Sequence, residues 1–140
     1  MFRTMLTLAA GVSLGMVGMT LAHHDGQENV KPLSSIDITE QIAGKATKAT
    51  AVEVSLDPGQ AGSPHRHPGP VFGYVLEGQY ELGIDDKPTK IVKQGETFYE
   101  PTGCLHRVSK NPAAKGKTRV LAWVLHPQDA KEVAIPEAKK

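Results

Sequence analysis

The stretch "HRHPGPVFGYVLEG", residues 65–78, decides the fold and raises the question of function. It places two histidines one residue apart, followed by a Pro/Gly turn and an apolar run that ends at Gly78. In a strand, residues i and i+2 project from the same face, and their Cα atoms lie about 6.6 Å apart. His65 and His67 at that spacing can bind one metal ion through their imidazoles. Two ligands hold a metal weakly, so a third is expected. The candidate is His106, which follows a "PTG" turn into another strand-like stretch.

The chain shows a β pattern from residue 50 onward. In "TAVEVSLD", residues 50–57, apolar residues alternate with polar ones, as in a strand with one buried face. About seven such short strands, separated by Gly/Pro turns, predict an all-β sandwich or small barrel over residues 50–126. The run "TRVLAWVLH", residues 118–126, is apolar on both faces. It predicts a central strand with Trp123 in the core.

The segments on either side of the barrel carry weaker signals. Residues 23–49 are polar with little periodicity, and they predict an extended N-terminal arm or linker. Residues 127–140 form a C-terminal tail that is either loose or a short helix.

The first 22 residues, "MFRTMLTLAAGVSLGMVGMTLA", have the pattern of a secretory signal peptide. Arg3 gives a positive start, residues 5–22 carry no charge, and the small-residue site at Ala22 precedes polar "HHDGQE". Cleavage there predicts a periplasmic or secreted protein. The alternative is an uncleaved membrane anchor, because the apolar run is near the length that spans a bilayer. Cleavage would also leave the adjacent histidines at positions 23 and 24 at the new N-terminus, which we interpret as part of a polar leader rather than a copper site.

Charge and cysteine content exclude several classes of partner and cross-link. The chain has 16 Lys and Arg and 15 Asp and Glu, so loss of Arg3 leaves 15 of each. A balanced charge argues against nucleic acid, or an anionic membrane after cleavage, as the partner. Cys104 is the only cysteine, so no internal disulfide can form. We interpret it as a small turn or core residue.

Two stretches of the chain resemble the motifs of the cupin family. The first motif, G-x5-H-x-H-x3-E-x6-G, and the second, G-x5-P-x-G-x2-H-x3-N, are matched at Gly59, His65, His67, Gly78, Gly95, Pro101, Gly103 and His106. Asn111 lies one place later than the second motif asks. The resemblance covers residues 50–126. It implies a small cupin-type β-barrel, or double-stranded jelly roll, with a metal at the histidine cluster.

The chain departs from this family at one metal ligand. The usual glutamate of the first motif falls at Val71, or at Phe72 with the alternative spacing, and neither can bind a metal. The remaining set of three neutral histidines is similar to that of some non-haem iron dioxygenases in the family, including diketone-cleaving and thiol-oxidising types. The resemblance therefore implies a divalent transition metal, with iron first and Cu, Zn, Ni or Mn as alternatives.

Glu100 is the candidate catalytic residue. If it shares the inward face with Phe98, its carboxylate points into the barrel. There it could orient a bound water, hydrogen-bond a ligand histidine or act as a base. The diketone-cleaving enzymes have a similarly placed glutamate. The alternative is a solvent-facing acid at a strand end.

The strand after the histidine pair predicts both a space and a surface. If Val71 faces inward, so does Gly73, and its small size leaves room for a ligand near the metal. Phe72, Tyr74 and Leu76 then face outward as an apolar stripe. Such a stripe needs a cover, either a second sheet or a second subunit, and in the second case the protein is a homodimer.

Two functions fit these residues. The first is an exported, metal-dependent oxidoreductase of dioxygenase type, acting on a small oxygen-rich molecule that chelates the metal through two oxygens. The alternative is a non-catalytic barrel that binds a metal or a small ligand, as a sensor or store. No cofactor beyond the metal is expected in either case.

Overall fold

The computed structural model describes residues 28–138, and this part of the chain is built of strands without a helix. The predicted signal peptide therefore lies outside the described residues. No helix in the described part is long and apolar enough to span a membrane. The ten strands are β1 (Asn29–Ile42), β2 (Lys45–Leu56), β3 (His65–Arg66), β4 (Val71–Glu77), β5 (Gln79–Ile84), β6 (Lys90–Lys93), β7 (Thr97–Glu100), β8 (His106–Lys110), β9 (Thr118–Pro127) and β10 (Ile135–Pro136).

The strands form two five-stranded antiparallel sheets, which confirms the predicted all-β fold. One sheet has the order β1-β2-β9-β4-β7, and the other has the order β10-β3-β8-β5-β6. Successive strands β4 and β5 belong to different sheets, as do β7 and β8, so the chain alternates between the two layers. The inward faces of both sheets supply the core, which includes Leu56, Val75 and Leu82.

The segment predicted to be an N-terminal arm or linker pairs along much of its length with the first sheet. β1 is antiparallel to β2, with Asn29 opposite Ser55 and Ile42 opposite Lys45. The two strands are joined at Ala43 and Gly44, which have φ of 51° and 73°. Positive φ at both residues is the backbone of a type I′ hairpin, whose twist matches that of the strands. The first sheet therefore begins well before residue 50.

The outer face of the first sheet carries exposed aromatic side chains that no described residue covers. Trp123, which the sequence placed in the core, is 38% exposed on this face. β9 is the central strand as predicted, but only one of its faces is buried between the sheets. Phe72, Tyr74 and Tyr99 are also exposed on the adjacent strands β4 and β7.

The C-terminal tail is neither loose nor helical up to residue 138. β10 pairs with β3, with Ile135 opposite Arg66 and Pro136 opposite His65. The Arg66 guanidinium also forms an ion pair with Glu137, with 3.0 Å between Nε and Oε2. The tail is thus attached to the strand that carries the first histidine.

Candidate metal centre

Two neighbouring strands bring the three predicted histidines together. β3 pairs with β8 so that His65 lies directly opposite His106, and His67 follows two residues later on the same side. The ring centroid of His65 is 4.7 Å from that of His67 and 4.8 Å from that of His106. One ligand nitrogen from each ring lies within 4.8 Å of the other two. Three imidazoles from two strands thus converge at one point, as the spacing predicted.

Hydrogen bonds fix the orientation of the first two rings. The Nδ1–H of His65 donates to the carbonyl of Ser63 at 2.8 Å, and that of His67 donates to the carbonyl of Val133 at 2.5 Å. A carbonyl can only accept, so in the neutral rings both Nε2 atoms carry lone pairs. These two Nε2 atoms face each other at 3.0 Å. Two opposed lone pairs at this distance are the arrangement that a cation stabilises, and ligand histidines commonly donate their other N–H in this way.

Burial keeps the inner rings neutral. Burial lowers the pKa of His67 to about 4 and that of His106 to about 3, and the neighbouring histidines add to both shifts. At neutral pH both rings are therefore unprotonated and able to bind a metal.

Glu100 reaches the cluster from the strand next to β4. It lies on β7 directly opposite Val71, the position where the family motif has its glutamate, and it is 2% exposed. Its Oε1 is 3.3 Å from Nδ1 of His106, and its Oε2 is 3.7 Å from Nε2 of His67. Glu100 Oε2 and His106 Nδ1 are buried without a hydrogen-bond partner among the described residues. A carboxylate thus approaches the histidines from β7, although β4 has none at the motif position. The two polar atoms without partners lie beside the same three histidines.

The charge state of Glu100 reflects its surroundings. Burial raises the pKa of its carboxyl to about 8, and the nearby carboxylate of Glu28 adds to the shift. A buried carboxylate without a counter-charge is costly, so a cation among the histidines would stabilise its ionised form. The donor set of three imidazoles and one carboxylate fits a divalent transition metal.

A cavity of about 90 Å³ lies beside the cluster and is largely apolar. Its lining residues are Glu28, Val30, Val52, Val54, His65, His67, Val71, Tyr80, Phe98, Glu100, His106, Val120, Ala122, Val124, Val133 and Ala134. The sequence assigned the space at Gly73 to a ligand, and this assignment is wrong. A Cβ on Gly73 would lie 2.0 Å from Cζ of Phe98, so the ring of Phe98 fills that space.

Two polar residues of this cavity were not predicted as site residues. Glu28 precedes β1 and lines the cavity from outside the barrel motifs. Tyr80 is buried on β5, and its hydroxyl contacts Nε2 of His106 at 3.3 Å. The inward position of Tyr80 was readable from the alternation in β5. No sequence signal pointed to Glu28, because the polar segment around it shows no apolar period.

The residues beside the ligands differ in burial, and Cys104 is a core residue, one of the two roles that the sequence suggested for it. Cys104 is buried in the core, and burial raises the pKa of its thiol to about 11, which makes it a poor nucleophile. Tyr99 and Arg107 face outward. Asn111, displaced by one position from the family motif, is fully buried and donates to the carbonyl of Leu56.

Comparisons with known proteins agree with this fold. Residues 52–124 match the sequence profile of the cupin domain. A germin-like protein of Arabidopsis thaliana, subfamily 2 member 4, is 32% identical over 90 residues, which are 60% of this chain and 41% of that protein. The chain thus matches about two fifths of the length of this curated relative.

Solved structures give the same likeness at low sequence identity. A protein with a double-stranded β-helix domain from Klebsiella pneumoniae superposes with a TM-score of 0.59 at 18% identity, covering 84% of this chain and 91% of that one. The DMSP lyase DddQ from Ruegeria pomeroyi gives 0.57 at 18% identity, covering 81% of this chain and 54% of that one. These likenesses show the fold alone. With the domain profile matched over more than half of its residues, this chain belongs to the cupin family.

Proposed function

We propose that this cupin is a metal-dependent oxidoreductase of dioxygenase type that acts on a small, oxygen-rich molecule. The observation that carries the proposal is the pair of opposed Nε2 lone pairs on His65 and His67, with Glu100 Oε2 and His106 Nδ1 buried and unpartnered beside them. All four side chains can donate an electron pair to a metal, and they lie together in the wall of one cavity.

His65, His67 and His106 would hold the metal, and Glu100 lies close enough to complete the set or to act beside it. Iron is the first choice, and Cu, Zn, Ni and Mn also accept imidazole and carboxylate ligands. A metal bound there would supply Lewis-acid chemistry and positions for a chelating substrate and for O₂.

Glu100 is the residue that we propose moves a proton. In its ionised form the carboxylate can accept a proton from an acidic C–H or O–H of a bound molecule. Burial raises the pKa of this carboxyl to about 8 in the metal-free site, so burial favours its protonated form, whereas a bound cation would favour its ionised form. Its contacts with His67 and His106 place this proton beside the three imidazoles.

The cavity limits the size and character of the substrate. A volume of about 90 Å³ has room for about six water molecules at roughly 15 Å³ each. Apolar side chains form most of its walls, namely seven valines, two alanines and Phe98. These features support a compact molecule with its oxygens at one end and a short apolar portion at the other, as in a small β-dicarbonyl compound.

O₂ uptake by the Fe(II)-loaded protein tests this proposal. The protein is loaded without oxygen and then mixed with a panel of β-dicarbonyl and thiol substrates in an oxygen electrode. We expect O₂ consumption that depends on both the metal and one substrate class. In Glu100→Gln, which keeps the shape of the side chain but cannot accept the proton, turnover should fall while iron content changes less than in His65→Ala.

A protein that retains metal but consumes no O₂ with any substrate would favour the non-catalytic alternative, a barrel that stores or senses a metal or small ligand. A protein that retains no transition metal at neutral pH would contradict the oxidoreductase and the metal-binding form of the alternative, and would leave only a barrel that binds a small ligand. Identifying the metal in freshly purified protein therefore comes first.

We also propose that the protein is exported to the periplasm or secreted. The support is the charged start, uncharged apolar run and small-residue site within residues 1–22. Mass spectrometry of protein from the exporting cell should give a mature N-terminus at position 23. An intact Met1 in the membrane fraction would indicate an anchor instead.

A homodimer is the oligomeric state that we propose, with a second copy covering the outer face of the first sheet. Phe72 pairs in register with both Tyr99 and Trp123, so three aromatic side chains from neighbouring strands form one exposed patch. The rings of Phe72 and Tyr99 are 5.3 Å apart. Light scattering should give the mass of a dimer for the native chain and of a monomer for Phe72→Ser. A monomeric native chain would refute this assignment.

A further inference from the structure

Glu28 is a carboxylate that the proposed reaction does not use, although it lines the cavity beside the histidines. It lies one residue before β1, outside both histidine motifs. The hydroxyl of Ser109 donates a hydrogen bond to its Oε2 at 2.5 Å. The loop before β3 leaves space for it, because a Cβ on Gly62 would lie 2.6 Å from Cδ of Glu28. A side chain at position 62 would collide with the Glu28 carboxylate where it now lies in the cavity.

Ser109 connects Glu28 to the third histidine. The hydroxyl of Tyr80 donates to Oγ of Ser109 at 2.9 Å. Since the Tyr80 proton is used in that bond, its oxygen can only accept, and its neighbour is Nε2 of His106 at 3.3 Å. A chain of hydrogen bonds therefore runs from His106 Nε2–H through Tyr80 and Ser109 to Glu28, with every donor pointing toward the carboxylate.

This chain of hydrogen bonds fixes the ring proton of His106, as backbone carbonyls fix those of His65 and His67. His65 and His67 each donate Nδ1–H to a backbone carbonyl, which leaves Nε2 for the metal. The backbone of Val108 also interacts with the His106 ring. The Nε2 of His106 faces the Tyr80 hydroxyl, and its Nδ1 is the unpartnered atom that faces Glu100. The arrangement leaves the Nδ1 lone pair for the cluster only when the proton is on Nε2.

We propose that Glu28 is a positioning residue of the metal centre: through Ser109 and Tyr80 it holds His106 as the Nε2–H tautomer, with Nδ1 directed at the cluster. The inference rests on the proposed metal function for its purpose, but the tautomer itself belongs to the metal-free protein. Glu28 is then part of the centre, although it lies outside the matched domain, residues 52–124.

Nitrogen NMR of the histidine rings in the metal-free protein at neutral pH tests the proposal directly. We expect the native His106 to show a protonated Nε2 and an unprotonated Nδ1, the reverse of His65 and His67. Glu28→Ala should mix the two tautomers of His106 and leave those of the other two rings unchanged. Glu28→Gln should preserve the native pattern, because its amide oxygen can still accept from Ser109.

Cobalt(II) affinity, measured by optical titration, is the second readout. Loss of a group that orients a metal ligand typically weakens binding about 10- to 100-fold, and we expect that loss in Glu28→Ala and Tyr80→Phe. Because both act through one chain, the double variant should bind no more weakly than the weaker single variant. Glu40→Ala is the matched control, since it removes an exposed carboxylate from β1 and should change neither readout.

Each outcome decides the question. A native His106 protonated on Nδ1, or a Glu28→Ala protein with unchanged ring signals, overturns the proposal. Weaker cobalt binding without a change of tautomer also overturns it, because Glu28 would then act by packing alone. Should Glu28→Ala fail to fold, Ser109→Ala breaks the same chain and is judged by the same signals. A native protein that binds no metal refutes the proposed function, while the tautomers still decide this inference.

Discussion

Replacing Gly73 with alanine should destabilise the barrel through a collision with a single ring. The new Cβ would lie 2.0, 2.2 and 2.5 Å from Cζ, Cε1 and Cε2 of Phe98. Phe98 cannot turn away easily, because it is buried in the core and stacks against Tyr80 with 5.3 Å between ring centroids. Overpacking of this kind costs about 1–3 kcal/mol. A cost of about 2 kcal/mol corresponds to a fall in Tm of roughly 8 °C, at about 4 °C per kcal/mol for a domain of this size.

The assay is urea and thermal unfolding of the metal-free protein, with Phe98→Leu as the compensating change. Leucine lacks all three of the ring atoms that approach Gly73, so it should remove the collision. We expect Phe98→Leu alone to cost about 1 kcal/mol, as an ordinary core substitution does. The double variant should then be more stable than the sum of the single effects predicts, by about 1 kcal/mol or more. Strict additivity, or a Gly73→Ala protein as stable as the native one, would show that Phe98 does not fill this space.

Three further predictions concern the centre and the first hairpin. Because folding lowers the pKa of His67 to about 4 and that of His106 to about 3, the unfolded chain binds more protons below pH 6.5, and the free energy of unfolding should fall as pH drops from there. Folding raises the pKa of Glu100 to about 8, so this residue should lower the free energy of unfolding as pH rises from 4.5 to 8. Urea titrations of the metal-free protein should therefore give a maximum free energy of unfolding near pH 6.5. A flat pH profile would contradict this. His65→Ala should abolish the thermal stabilisation by added metal. In the native chain this stabilisation reaches about 2.7 kcal/mol at a metal concentration about 100 times Kd. An unchanged metal-induced rise in Tm in calorimetry would exclude His65 as a ligand. Ala43→Gly should raise stability by about 1 kcal/mol, because glycine adopts the positive φ of 51° without the steric cost that alanine bears, and a lower Tm would refute this.

The sequence was most informative where burial imposes a strict alternation. The inward faces of β4 and β7 followed from a period of two, which put Val71 inward and allowed Glu100 to point into the barrel. The same period put His65 and His67 on one side of their strand. Local geometry was enough here, since each prediction depended on residues only a few positions apart.

The missed features depend on contacts between distant residues. β1 is exposed along most of its length, so it is held by backbone pairing with β2 and leaves no apolar pattern to read. Trp123 belongs to a strand that is apolar on both faces, and only the absence of a covering layer among the described residues shows that one face is outside. Glu28 meets Ser109 across 81 positions of the chain, a contact that periodicity cannot reveal.

The carbonyl of Val133, which accepts the hydrogen bond from His67 Nδ1–H, belongs to the last stretch of the described chain. A change to the chain near Val133 should therefore alter the orientation of the His67 imidazole, although the matched domain ends earlier, at residue 124. Proteolytic trimming before position 133, or a bulky fusion partner attached to the final residues, would free the His67 ring to rotate. Under the proposed metal function, recombinant protein with a C-terminal affinity tag should therefore retain less metal through purification than untagged protein.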